Sequence, residues 1–94
     1  MVIGICTISL HLPGNGSLKD KRRVVKSIVA RLPREFNISI AEVDDQDNWQ
    51  RSTLGVACVS TSADYAHGLL TKVVNWIEVH RPDVPILDFR IELL

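Results

Sequence analysis

Five bases fall within eight residues of this chain: Lys19, Lys21, Arg22, Arg23 and Lys26, interrupted only by Asp20 and the valines 24 and 25. A run of this kind could make several phosphate contacts, each releasing condensed counterions, so that affinity would fall steeply with salt. A solvated helix face gives the same composition. The turn before the run, Gly14-Asn15-Gly16-Ser17, offers a second phosphate-binding feature. Backbone N–H groups at Gly16 and Ser17 would point out of a helix N-terminus, where the helix dipole favours anions. It is not a dinucleotide fingerprint, because Lys19 stands where the third glycine belongs, and the Walker spacing is absent. An ordinary turn and cap explains it as well.

Carboxylates cluster next, in Glu42-Val43-Asp44-Asp45-Gln46-Asp47, followed by Asn48-Trp49-Gln50-Arg51. Glu42, Asp44 and Asp47 could hold a divalent cation, although the EF-hand spacing and its glycine are missing. A carboxylate pair could serve acid–base catalysis if burial separated their pKa values. Trp49 flanked by Gln50 and Arg51 in a polar segment has the composition of an interface anchor. No nucleophile with an adjacent base can be assembled, so no catalytic residue is assigned and the chain reads as non-enzymatic. Cys6 and Cys58 sit in apolar β-branched runs with no Cys-x-x-Cys or Cys/His cluster, which predicts buried thiols in a reducing compartment. His11, His67 and His80 are scattered without ligand spacing. No cofactor is implied.

The formal net charge is zero, but its distribution is uneven. Residues 1–34 carry seven bases against one acid, residues 35–50 carry five acids and no base, and the remainder nets −1. Asymmetry of this kind concerns partners rather than fold. It suits local binding of a polyanion, or pairing of the basic stretch of one copy with the acidic stretch of another. A length of 94 residues with 46% hydrophobic and 23% charged residues predicts one globular domain over 1–94. No run is long and apolar enough for a membrane span, and Met1–Cys6 lacks the basic region of a secretory signal, so a cytoplasmic protein is expected.

The elements that must position these residues follow from periodicity. Residues 2–12 alternate as a strand, with Val2, Cys6, Ile8, Leu10 and Leu12 on one side. Ile3 and Ile5 on the other side predict cover on both faces there. A helix begins at Ser17, with Leu18, Val24, Val25, Ile28, Val29 and Leu32 as its buried stripe, and Pro33 is expected to end or kink it. Strands are expected over 36–43 and 53–60, with apolar residues on both parities hinting at a sheet covered twice. A second helix over 63–80, capped by Thr61 or Ser62, carries Tyr65, Ala66, Leu69, Leu70, Val73, Val74 and Ile77 as its stripe. Residues 86–93 alternate as the last strand. The order β-α-β-β-α-β predicts an α+β, ferredoxin-like sandwich with two helices on one face of a four-stranded antiparallel sheet. Apolar residues on its open face favour a homodimer, formed across that face or along an edge strand.

Two segments carry a resemblance. Ser17-Leu18-Lys19-Asp20-Lys21-Arg22-Arg23-Val24-Val25, and the stretch from Asn37 through Glu42-Val43-Asp44-Asp45-Gln46-Asp47-Asn48-Trp49-Gln50-Arg51 to Leu54-Gly55-Val56-Ala57, resemble the YlxP-like family of small bacterial proteins. The likeness runs over essentially the whole chain, with Pro33 a small departure. It implies the ferredoxin-like domain and a gene setting near translation and ribosome-maturation factors. The expectation is therefore a homodimer that contacts RNA or a ribosomal subunit. Gly16, Ser17, Lys19, Lys21, Arg22, Arg23 and Lys26 would hold phosphates, and Trp49, Gln50 and Arg51 would anchor the partner. A divalent-metal binder or enzyme centred on Glu42, Asp44 and Asp47, and a small-ligand or protein-interaction dimer, are the alternatives.

Overall fold

A computed structural model describes residues 1–14 and 16–94; Asn15, read above as part of the turn, lies outside the described residues. The chain runs β1 (Val2–His11), α1 (Leu18–Glu35), β2 (Ser39–Asp44), β3 (Arg51–Ser60), α2 (Ala63–His80) and β4 (Ile86–Leu93). The strands form one antiparallel sheet in the order β2-β3-β1-β4. This is the split β-α-β-β-α-β sandwich that the element order predicts.

Period-two alternation sets the inner face. Cys6, Ile8 and Leu10 of β1 and Leu54, Val56 and Cys58 of β3 are buried under Val25, Ile28 and Leu32 of α1 and Leu70, Val73 and Ile77 of α2. Ser17 caps α1 by accepting the Asp20 N–H at 3.1 Å, and Ser62 caps α2 by accepting the Tyr65 N–H at 3.3 Å.

Three expectations need correction, and one strand carries an irregularity the alternation does not show. Pro33 does not end α1, which runs on to Glu35. It lies in the last turn, where the Arg31–Glu35 ion pair at 2.9 Å and the Phe36 N–H donated to Leu32 hold the backbone together. Tyr65 is exposed rather than on the α2 stripe, because it lies one residue around the helix from buried Ala66. The sheet is covered on one face alone. On β2 the two parities separate: Ile40 leans on the core, while Ala41 and Val43 face outward. Finally, a register shift between Ser9 and Leu10 pairs Ile86 with Leu10 and leaves Leu87 outside the ladder. Leu87 is exposed, as are Phe89 and Leu93 farther along this edge strand.

Two glycines stand where neighbours approach closely, and a Cβ on Gly4 would lie 3.0 Å from both Cys58 Sγ and Leu70 Cδ1 on the helix side. A Cβ on Gly55 would lie 2.8 Å from Val43 Cγ1, so the side chain of β2 crosses the bare backbone of β3 on the open face. In contrast, Gly14 and Gly16 stand in open space, and no described glycine has positive φ.

Candidate nucleic-acid interface

The basic run divides in two once folded. Lys19, Arg22, Arg23 and Lys26 are exposed on α1, and among the described residues none of them enters an ion pair. Lys21 does not belong with them. Its side chain is 0% exposed, and its Nζ lies 2.6 Å from Glu42 Oε2, with donations to the carbonyl oxygens of Asp45 at 2.8 Å and Gln46 at 3.1 Å. Three acceptors use all three ammonium protons, so Lys21 cannot serve as a phosphate contact. The spacing held the signal: Lys21 precedes Val25, Ile28 and Leu32 by four, seven and eleven residues, the period of one buried helical face. At about 100° per residue the other four bases lie together on the opposite side.

Glu42 is the other half of this buried contact. As an even-numbered residue of β2 it turns inward with Ile40, toward α1, and its carboxylate also accepts the Ser52 hydroxyl at 2.6 Å. Buried Ser52 and Lys21 therefore share one carboxylate oxygen. This removes Glu42 from any metal set with Asp44 and Asp47, and no three His, Cys, Asp or Glu side chains come together for a cation among the described residues.

The acidic segment is a hydrogen-bonded turn. Asp45 adopts φ 62°, a left-handed conformation that aspartate tolerates, and its N–H is donated to its neighbour's Asp44 Oδ1 at 2.8 Å. Asp45 Oδ2 accepts the Thr53 hydroxyl at 2.8 Å, and its carbonyl accepts the Asn48 N–H at 3.1 Å. Asn48 Oδ1 accepts the Gln50 N–H at 2.9 Å, and the Gln50 carbonyl accepts the Leu12 N–H at 2.8 Å. His11 Nδ1 lies 3.2 Å from that same carbonyl. Asp44, Asp47, Gln50 and Arg51 remain exposed, and Trp49 is 53% exposed. Through Lys21, this acidic turn is fastened beside the first turn of α1.

Gly16 and Ser17 lie where α1 begins, next to Lys19. The Ser17 hydroxyl is already the cap acceptor for Asp20. The described structure thus brings Gly16, Ser17, Lys19, Arg22, Arg23 and Lys26 onto one end and one side of α1, with a fixed acidic rim at its start. Burial pushes the Cys6 thiol up to about 11, and both cysteines are buried and free. No described helix is long and apolar enough to cross a membrane.

Comparison with known proteins adds three findings. Residues 3–91 match the family described as "Protein of unknown function (DUF503)". A relative from Bacillus subtilis (strain 168), "Uncharacterized protein YlxP", is 39% identical over 77 residues, covering 82% of this chain and 84% of its own. Among solved structures, the "De novo designed protein Foldit4" superposes with a TM-score of 0.54 at 10% identity, over 100% of this chain and 97% of that one. At that identity the likeness speaks to the fold alone.

Proposed function

This chain belongs to the DUF503 family, and from its own residues we propose that it is a non-enzymatic RNA- or ribosome-associated factor that grips phosphates through the outer face of α1. The observation that carries this reading is the set of four exposed bases, Lys19, Arg22, Arg23 and Lys26, lying outside any ion pair among the described residues. Four charges on one rigid helix face neutralise several phosphates without ordering a flexible tail. The gene setting implied by the resemblance to YlxP-like proteins supports the same reading. With Lys21 turned inward, the strip is narrower than the sequence suggests. The acidic turn at its start repels a polyanion there and directs it along the helix toward Lys26.

The sheet is not the binding platform in this reading. Its outer face carries Ile3, Ile5, Thr7, Ser9 and Val59 on the central strands and no aromatic ladder on which bases could stack. Recognition is therefore of backbone charge and shape rather than of base identity.

Co-sedimentation with ribosomal subunits and with total RNA across a salt series tests the proposal. Association should be lost steeply between about 50 and 200 mM salt. Arg22→Glu/Arg23→Glu should abolish it at low salt without changing the fold. No association at low salt, or association untouched by that charge reversal, would overturn it.

A further inference from the structure

β4 is an edge strand whose protection sits at its start, in the register shift before Asp88 and the Asp88 side chain on the Phe89 N–H. Natural edges are blunted by short length, bulges or charge. The opposite edge, β2, has six residues, ends in a register shift and is closed by the Lys21-anchored turn. β4 has eight residues and is regular from Asp88 onward. Its Phe89 is 44% exposed and its Leu93 40% exposed, although both share the inner face with buried strand positions.

The backbone fixes which groups look outward. Leu94 and Ile3 exchange both of their N–H···O=C bonds, at 2.8 and 3.1 Å. Alternation along an antiparallel ladder then directs Glu92 and Arg90 to β1, and turns the N–H and C=O groups of Leu93, Ile91 and Phe89 away from the sheet. Consistent with this, the Phe89 N–H is donated to the side chain of Asp88 at 2.9 Å. Any strand added here must pair with those three residues.

We propose that a second copy of this chain adds that strand, β4 pairing antiparallel with β4 about a two-fold axis through Ile91, so that one sheet runs through both protomers. The side chains specify this register. With Ile91 opposite its own copy, Phe89 meets the partner's Leu93 on the helix side, twice by symmetry, which covers the exposed rings and methyl groups. On the open side Arg90 meets the partner's Glu92, also twice. Arg90 and Glu92 at present hold one another at 2.8 Å in an exposed pair that can exchange partners. Opposite charges directly across an antiparallel pair stabilise it, and the same patch serves both copies, as an isologous contact requires. α1 packs over β2, at the other end of the sheet from β4. Pairing along β4 therefore leaves both basic strips open, and the inference stands whether or not they bind RNA.

Charge reversal tests the register. Analytical ultracentrifugation of the whole chain should show a dimer, and Arg90→Glu or Glu92→Arg should each raise its dissociation constant about tenfold or more. The double variant Arg90→Glu/Glu92→Arg should restore it. Phe89→Lys, which puts an ammonium on the outward edge, should also give monomer, with circular dichroism and unfolding transitions showing that the variants remain folded. A wild-type monomer up to submillimolar concentration would overturn the proposal. So would single variants that dimerise like the wild type, a double variant as weak as the singles, or rescue of Arg90→Glu by Asp88→Arg in place of Glu92→Arg.

Discussion

Lys21 shows how one residue can change meaning between sequence and structure. Flanked by four exposed bases, it reads as one more phosphate ligand, yet it is the buried cation that joins α1, β2 and the acidic turn. Removing one partner of a buried pair leaves the other charge uncompensated, which costs about 3–5 kcal/mol. Lys21→Met, close to lysine in shape, should therefore lower stability by about 3 kcal/mol in urea unfolding, and Lys21→Met/Glu42→Leu should recover part of that loss, the rest staying with the buried Ser52 hydroxyl and the turn carbonyls. Recovery of none of it would show that the turn carbonyls, not Glu42, are the essential acceptors. At Cys6 the effect depends on pH. Its folded pKa is raised to about 11 from an ordinary 9.0, so the unfolded thiol ionises first. The native state is favoured fully below pH 9 and loses that advantage as pH rises toward 11. Cys6→Ala should show a flatter decline of melting temperature over this window than the wild type.

Between elements, contacts depend on which parity of a strand faces inward. The long alternating strand at residues 2–11 and the helix over 63–80 were legible because periodicity and caps agree there. β2 was not legible, since Ile38, Ile40, Ala41 and Val43 put apolar groups on both parities of six residues. Only the helix opposite reveals that Glu42 is on the inner side. The bulge at Leu87 likewise arises from pairing with β1, which no local pattern encodes. The four bases on the outer face of α1 were legible; the removal of Lys21 from them was readable only by counting helical spacing ahead of charge. The β2–β3 contact makes its own prediction. Gly55→Ala forces the new methyl against Val43 Cγ1, 2.8 Å away, and valine has little rotamer freedom to yield. The cost should be about 1–2 kcal/mol in thermal unfolding and should vanish in a Val43→Ala background. An equal cost in both backgrounds would place the strain in the backbone of β3 instead.

For the whole molecule, the layers have different tasks. The helix layer displays the bases, the sheet leaves β4 as an open edge, and the polar network under α1 ties the acidic turn to the helix. Val59, 67% exposed, with Ile3 and Ile5 beside it, leaves an apolar strip on the outer sheet face. If the sheet continues through two copies along β4, the charged residues Asp88, Arg90 and Glu92 of the two β4 strands lie between the two strips, and a hydrophobic dye should give the same signal per chain with the dimer as with the Arg90→Glu monomer. A lower signal per chain from the dimer would mean that the two copies meet across this face instead of along β4.

The position of β1 at the centre of the sheet also has a consequence in time. Its two neighbours are both made much later than it is: Val2 meets Ser60, and Gly4 meets Leu93. While the chain is being synthesised, a nearly continuous apolar strand waits with both edges open, first for β3 and then for β4. Long-range pairings of this kind are slow to form and leave sticky surface exposed meanwhile. β4, made after the other three strands, thus completes the pairing of β1, so a chain stalled before β4 would present one edge of β1 to whatever lies nearby.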